Sequence, residues 1–190
     1  ETFHVRHAAV IGGGFIGLEM AENLRHRGIE VTLVEAMPQI FAPFDPEMTI
    51  ALNSELRKNG VKLILSDAVS AFNSDADGVS LTLRSGETIR TDLVVLSIGV
   101  RPNSELARAA GLELNARGGI VVDDRLMTSD PNIYALGDVI EVKDRVDGKP
   151  AMIPLAGPAN KQARITADQI QGIDARYPGT LGTSIVQLFN

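Results

Sequence analysis

The sequence predicts an α/β fold: a parallel sheet with crossover helices, followed by an antiparallel β-meander. Three observations predict it. Short apolar runs alternate with helix-period stretches through residue 66. Glycines stand where those helical stretches stop, at Gly28 and Gly60. From residue 68 the helical period gives way to short alternating segments separated by turn residues. Strands divided by helices cannot pair as hairpins, because each helix carries the chain back to the starting end of the sheet. They pair in parallel.

Each element has its own local reason. "VRHAAVI" (5–11) is a short apolar strand, and "FIGLEMAENLRHRG" (15–28) sets Ile16, Met20 and Leu24 on one helical face before Gly28 ends it. "IEVTLVE" (29–35) is a β-branched strand. "DPEMTIALNSELRKNG" (45–60) opens on an Asp45 cap with Pro46 in the first turn. "VKLILS" (61–66) is a third strand. "AVSAFN", "VSLTL" and "ETIRTD" (68–92) are split by "SDADG" and "RSG", which makes them a meander. "LVVLSIG" (93–99) reads as a buried strand, and "RPNSELARAAG" turns into a short helix. Beyond Leu112 come short strands at 118–124 and 132–138, a polar loop "VKDRVDGKP", and a helix over 158–172. "YPGTLG" after it resembles a linker, and there is no internal repeat or low-complexity tract.

Composition narrows the function. A chain of 190 residues with 44% hydrophobic content fills one large domain or two small ones. Its 18 basic and 24 acidic residues give a net charge of −6, which argues against nucleic acid or an anionic membrane as the main partner. No apolar run approaches the roughly 20 residues of a membrane span, and no secretory signal opens the chain, so a cytoplasmic protein is expected. The absence of cysteine removes disulfides, the commonest soft metal ligand and a thiol nucleophile. His4, His7 and His26 form no ligand cluster and are expected at the surface. Asp123, Asp124 and Asp130 look like turn acids, and no metal site is expected. The start at Glu1 and the apolar end "IVQLF" look like a piece of a longer protein.

One motif carries chemistry. In "AAVIGGGFIGLEMAENL" (8–24), Gly12, Gly14 and Gly17 form a G-x-G-x-x-G between a strand and a helix. A helix N-terminus placed there offers unpaired N–H groups and a dipole to a pyrophosphate. Gly12 permits the tight turn, Gly14 lets phosphate approach the backbone, and Gly17 lets helix and strand pack closely. The second strand ends in Glu35, where such Rossmann-like folds place a carboxylate on the adenosine ribose diol. A 2′-phosphate beside Glu35 would be repelled, and no basic residue occurs from Gly28 to Leu56. NAD(H) is therefore expected over NADP(H).

Together, "GGGFIGLEMAENL", "LSIGVRPN" and "DPNIYALGDV" resemble the flavoprotein pyridine nucleotide–disulfide oxidoreductases, nearest to their coenzyme A-disulfide reductase, NADH oxidase and NADH peroxidase branch. The resemblance covers almost the whole chain. It implies an NAD(H)-binding domain over 1–103, the second segment of an FAD-binding domain over 104–180, and the start of a dimerisation domain over 181–190. For NAD it implies Gly12, Gly14, Phe15, Ile16, Gly17, Glu19, Glu35 and Gly99. Phe15 matches an aromatic gate over the flavin, against which stands plain core packing. Glu19 matches a carboxylate near the nicotinamide amide, against ordinary first-turn dipole chemistry. For FAD it implies Gly137 and Asp138, the latter on the ribityl chain. Leu155, Ala156 and Gly157 would form a helix start facing the flavin pyrimidine. Phe41 and Phe44 flank the adenine or the domain junction, or simply pack.

The departures matter equally. The family's first FAD glycine motif, its redox cysteine and its C-terminal domain are not in this sequence, so the isolated chain is expected to be inactive and to hold no catalytic residue. In the intact parent, expected to be a homodimer, hydride passes from NADH to flavin and on to a small-molecule acceptor: a disulfide, persulfide, peroxide or oxygen. The alternative is a non-enzymatic, NAD(H)-responsive redox-sensing or interaction module on the same fold.

Overall fold

β1 (His7–Ile11) sets the layering of the first half. Ala8 and Val10 face one side of the strand, Ala9 and Ile11 the other, and all four are buried. A strand buried on both faces needs two covering layers. The computed structural model describes residues 4–42, 44–76 and 78–189. They fall into two units, one of residues up to Gly99 together with those from Ile185, the other of Val100–Ser184.

In the first unit, β1 is followed by α1 (Phe15–His26), β2 (Glu30–Val34), α2 (Pro46–Lys58) and β3 (Val61–Ile64). β4 (Val69–Asp75), β5 (Gly78–Leu83) and β6 (Thr88–Thr91) form the antiparallel meander, and β7 (Leu93–Leu96) returns to the main sheet. That sheet is parallel throughout, in the order β3-β2-β1-β7. Leu18, Ala21 and Leu24 of α1 and Leu56 of α2 pack against Ala8, Val10, Val31 and Leu33 on one face. Leu81, Leu83 and Ile89 of the meander cover Ala9, Ile11 and Val34 on the other. Each fully buried leucine contributes about 1.5–3 kcal/mol. Leu188 completes the helical side, where the Phe189 N–H donates to Glu22 Oε1 at 2.8 Å.

The second unit holds α3 (Glu105–Ala109), β8 (Ile120–Val121), β9 (Ile140–Lys143), β10 (Pro150–Ala151) and α4 (Ala156–Ile170). Its sheet runs β10-β9-β8, and its core gathers Leu126, Ile140, Val142, Ile165 and Tyr177.

The expected elements appear, with five differences. The stretch 93–99, expected as a buried strand, forms β7 only over Leu93–Leu96, half-buried at the sheet edge with Leu96 exposed. The buried face of α1 is Gly17, Leu18, Ala21 and Leu24, whereas Ile16 is 56% exposed. The stretch expected as a polar loop forms the β9–β10 hairpin, closed by the Asp144 N–H to the Lys149 carbonyl. Conversely, 132–138 is no strand; it makes one bridge, between Tyr134 and Met127. His7 is not at the surface. It opens β1 half-buried, its Nδ1 donating to the Arg90 carbonyl at 2.7 Å and its Nε2 paired with Thr32 Oγ1 at 2.9 Å.

Candidate functional site

The parallel strands all point their C-terminal ends to one edge, and the glycine turn lies there. Gly12 has φ of 106°, and a Cβ on it would collide with the Ser97 carbonyl oxygen, so no other residue fits. A Cβ on Gly17 would collide with the Gly12 carbonyl oxygen, which is why α1 can start so close to the strand. Gly14 is different. It is the N-cap of α1, and a Cβ there would meet nothing within 4 Å. No side chain caps this helix and its first turn carries no acid, so its free N–H groups and dipole face open space. That is the donor set a pyrophosphate requires.

Glu35 directly follows β2. Its Oε2 accepts the Gly13 N–H at 2.6 Å and its Oε1 accepts the Met37 N–H at 2.8 Å. The carboxylate is thereby fixed beside the turn, with acceptor capacity left on both oxygens for a vicinal diol. A cavity of about 540 Å³ joins the glycine turn, Glu35, Asp67 and the β7 end, Leu96–Gly99. The residues present fit a dinucleotide with a hydroxyl-bearing ribose at Glu35.

The structure brings Gly12, Gly14, Glu35 and Gly99 to this cavity; Gly99 has φ of 95° and open space where a Cβ would be. Phe15, Ile16, Gly17 and Glu19 lie on α1 outside its lining. The Phe15 ring packs edge-on against Phe41 with centroids 4.2 Å apart and adjoins the helical core. Glu19 is exposed and sits past the first helical turn, which contains no acid. The dipole account of Glu19 therefore fails on position. Phe41 is buried and packs against Phe44 with the rings tilted and their centroids 4.8 Å apart.

The second unit holds the other predicted residues. Gly137 has φ of 85°, and its N–H donates at 2.8 Å to Oε1 of Gln162, a side chain only 2% exposed. This bond ties the turn to α4. Asp138 is exposed on a cavity of about 680 Å³ that Arg101 and Arg117 also line. Leu155 is the N-cap of α4, with Ala156 and Gly157 opening the helix. This N-terminus too has no side-chain cap and no acid in its first turn. An exposed carboxylate suits a polyhydroxyl chain, and an open helix start suits an electron-rich ring edge, so these residues fit the flavin half-site.

Three residues of the sites escaped sequence reasoning. Ser97 Oγ lies 2.8 Å from the Ile11 carbonyl and 3.0 Å from that of Gly12, holding the turn from β7. Asp67 joins the first cavity, and the Ser85 hydroxyl, ahead of backbone N–H donors, holds its carboxyl below the ordinary range. Gln162 is the third. Each acts across a long sequence separation. Among the described residues there is no His, Cys, Asp or Glu cluster able to hold a metal.

Fold and turn together define a dinucleotide-binding α/β protein. The chain belongs to the pyridine nucleotide-disulphide oxidoreductase family, which matches residues 2–163. It is 35% identical to the NAD(P)H sulfur oxidoreductase (CoA-dependent) of Pyrococcus abyssi, over 100% of this chain and 42% of that protein. Reduced Bacillus anthracis CoADR-RHD superposes with a TM-score of 0.92 at 52% identity, over 97% of this chain and 33% of that one. An engineered water-forming NADPH oxidase bound to NADPH superposes at 0.93 with 30% identity, over 98% and 41%. It is a mutant of a Lactobacillus brevis water-forming NADH oxidase that is itself seen bound to NADH. The chain spans less than half the length of these relatives.

Proposed function

We propose that this chain is the NADH-binding domain and part of the FAD-binding domain of a flavoprotein oxidoreductase. The observation that carries it is the Glu35 carboxylate, fixed by Gly13 and Met37 beside an uncapped helix start. Bound in their sites, NADH supplies a hydride and FAD accepts it. The chain's residues position: Gly14 and the first N–H groups of α1 receive the pyrophosphate, and Glu35 accepts from the ribose hydroxyls. Asp138 accepts from the ribityl chain, and the start of α4 faces the flavin ring. The engineered NADPH oxidase supports the NADH preference. Its substitutions include three consecutive ones, Asp to Ala, Ala to Arg and Met to Ser. Glu35, Ala36 and Met37 present the same acid–Ala–Met order here.

The domain limits of this reading are 1–103, 104–180 and 181–190, the last leading into a dimerisation domain; the unit that ends at Gly99 supports the first. The acceptor is a disulfide, persulfide, peroxide or oxygen, in a cytoplasmic, homodimeric parent. Relatives named as oxidoreductases and reductases favour an enzyme over a sensor module. No helix among the described residues is long and apolar enough to cross a membrane.

Calorimetric titration of the chain with NADH and with NADPH tests the reading. NADH should bind and NADPH should not; equal affinities would remove Glu35 from its role. Glu35→Ala should weaken NADH by roughly 1–3 kcal/mol, the scale of a lost charge-assisted hydrogen bond.

A further inference from the structure

The glycine-turn cavity carries an unexplained charge. Among the described residues its lining holds two carboxylates, Glu35 and Asp67, and no lysine, arginine or histidine. The ribose accounts for Glu35. Asp67 lies after β3, one strand further along the order β3-β2-β1-β7. A dinucleotide with its pyrophosphate at the β1–α1 turn and its adenosine ribose at the end of β2 directs its base toward the end of β3.

Backbone bonds place Asp67 there. Ser66 adopts a left-handed φ of 58° and donates its N–H to the Met37 carbonyl at 2.9 Å. The Asp67 N–H donates to the Glu35 carbonyl at 3.2 Å. The loop after β3 is thus fastened alongside the loop that carries Glu35. Asp67 Oδ1 accepts the N–H groups of Ala68 at 2.8 Å and Ser85 at 3.3 Å. Neither of these N–H groups falls on Oδ2, and each carboxylate oxygen carries two lone pairs, so the group can accept a further bond. The Ser85 hydroxyl and these N–H groups hold the carboxyl below the ordinary aspartate range. Ala36, Val69 and Phe72 supply apolar wall around it.

We propose that Asp67 is a specificity-determining residue that accepts a hydrogen bond from the exocyclic amine of the adenine ring. This rests on the NADH reading. A carboxylate only accepts, and the adenine amine is the base's only strong donor, so the pairing is chemically specific. Hypoxanthine carries a carbonyl oxygen at that position and would set acceptor against acceptor.

The test titrates the chain with NADH and with reduced nicotinamide hypoxanthine dinucleotide, followed by nucleotide fluorescence, in wild type, Asp67→Asn and Asp67→Ala. Wild type should favour NADH by about tenfold or more. Asp67→Asn keeps an oxygen for the turn and gains a donor, so it should narrow or reverse the preference. Asp67→Ala should show weaker NADH binding and no preference. Equal affinities in wild type, or one unchanged ratio in all three proteins, overturn the role of Asp67 while NADH binding stands. Failure of NADH to bind wild type overturns both.

Discussion

Two pairs of glycines, one from each unit, answer to different constraints. In the first unit, Gly12 and Gly17 are enclosed: a Cβ on either would strike backbone oxygen of this same chain. In the second, a Cβ on Gly137 or Gly157 would meet nothing within 4 Å. The first pair is demanded by packing inside the unit. Of the second pair, only Gly137 is demanded by the chain, through its φ of 85°. A glycine is therefore demanded either by enclosure, as Gly17 is, or by a left-handed backbone, as Gly137 is; both apply to Gly12 and neither to Gly157.

Paired substitutions test this contrast most strongly. Gly12→Ala combines a left-handed backbone with a backbone collision, and should cost on the order of 3 kcal/mol and abolish NADH binding. Gly157→Ala should be neutral, or stabilising by up to about 1 kcal/mol through helix propensity. Urea denaturation with NADH titration reads both, and similar losses in the two variants would erase the distinction. Phe15→Ala sharpens it further along the same turn. The ring's contact with Phe41 and the helical core predicts a loss of about 3 kcal/mol, the low end for a truncated phenylalanine. A loss below about 1 kcal/mol in thermal unfolding would favour the gate over packing.

The same contrast explains what could be read from the sequence. The first unit is built from long apolar runs bounded by Gly28, Pro46 and Gly60, so period and punctuation located its strands and helices. Glu35 and the glycine turn were legible because strand, helix and acid follow one another along the chain. In the second unit the strand expected over 118–124 shrinks to Ile120–Val121, and Pro150–Ala151 is too short to show any period. The unit's β9–β10 hairpin offers only Ile140 and Val142 as alternating core residues, and the charged turn between the strands hides the pairing. Gln162 and Asp67 were invisible for another reason. A single polar side chain meeting a distant backbone group has no pattern until the fold brings the two together.

Gln162 supplies the next largest effect. Gln162→Leu keeps the bulk of a buried side chain but removes the acceptor of the Gly137 N–H. Leaving that donor unpaired should cost about 1–3 kcal/mol, with NADH affinity unchanged because the nucleotide residues all lie in the other unit. A change in NADH affinity matching the stability loss would show that the two units do not behave separately.

The smallest expected effect compares how each unit uses an acidic side chain. Asp92, in the first unit, accepts the backbone N–H groups of His7 at 2.9 Å and Arg6 at 2.7 Å. These bonds, His7 first, hold its carboxyl below the usual range. A carboxyl lowered by folding stabilises the native state above its unfolded pKa of about 3.9 and loses that contribution as pH falls through the lower native value. Asp92→Asn removes the titration, so its stability should fall less steeply than wild type below about pH 4, and the two curves should converge at lower pH. In the second unit, Asp124 instead pairs with Arg176 at 2.8 Å, and both side chains are about half exposed. That contact raises the arginine's pKa, already far above neutrality, so it adds no arginine titration between pH 2 and pH 9. Exposed pairs of this type contribute little and weaken with salt. Asp124→Asn should therefore lose a small, salt-sensitive increment, whereas the loss in Asp92→Asn follows pH and depends less on salt, because backbone N–H groups act on it ahead of the charges of His7 and Arg6. Urea midpoints from pH 2 to 7, at low and high salt, separate the two, and a salt-sensitive Asp92 would mean that charge pairing, not the backbone, holds it.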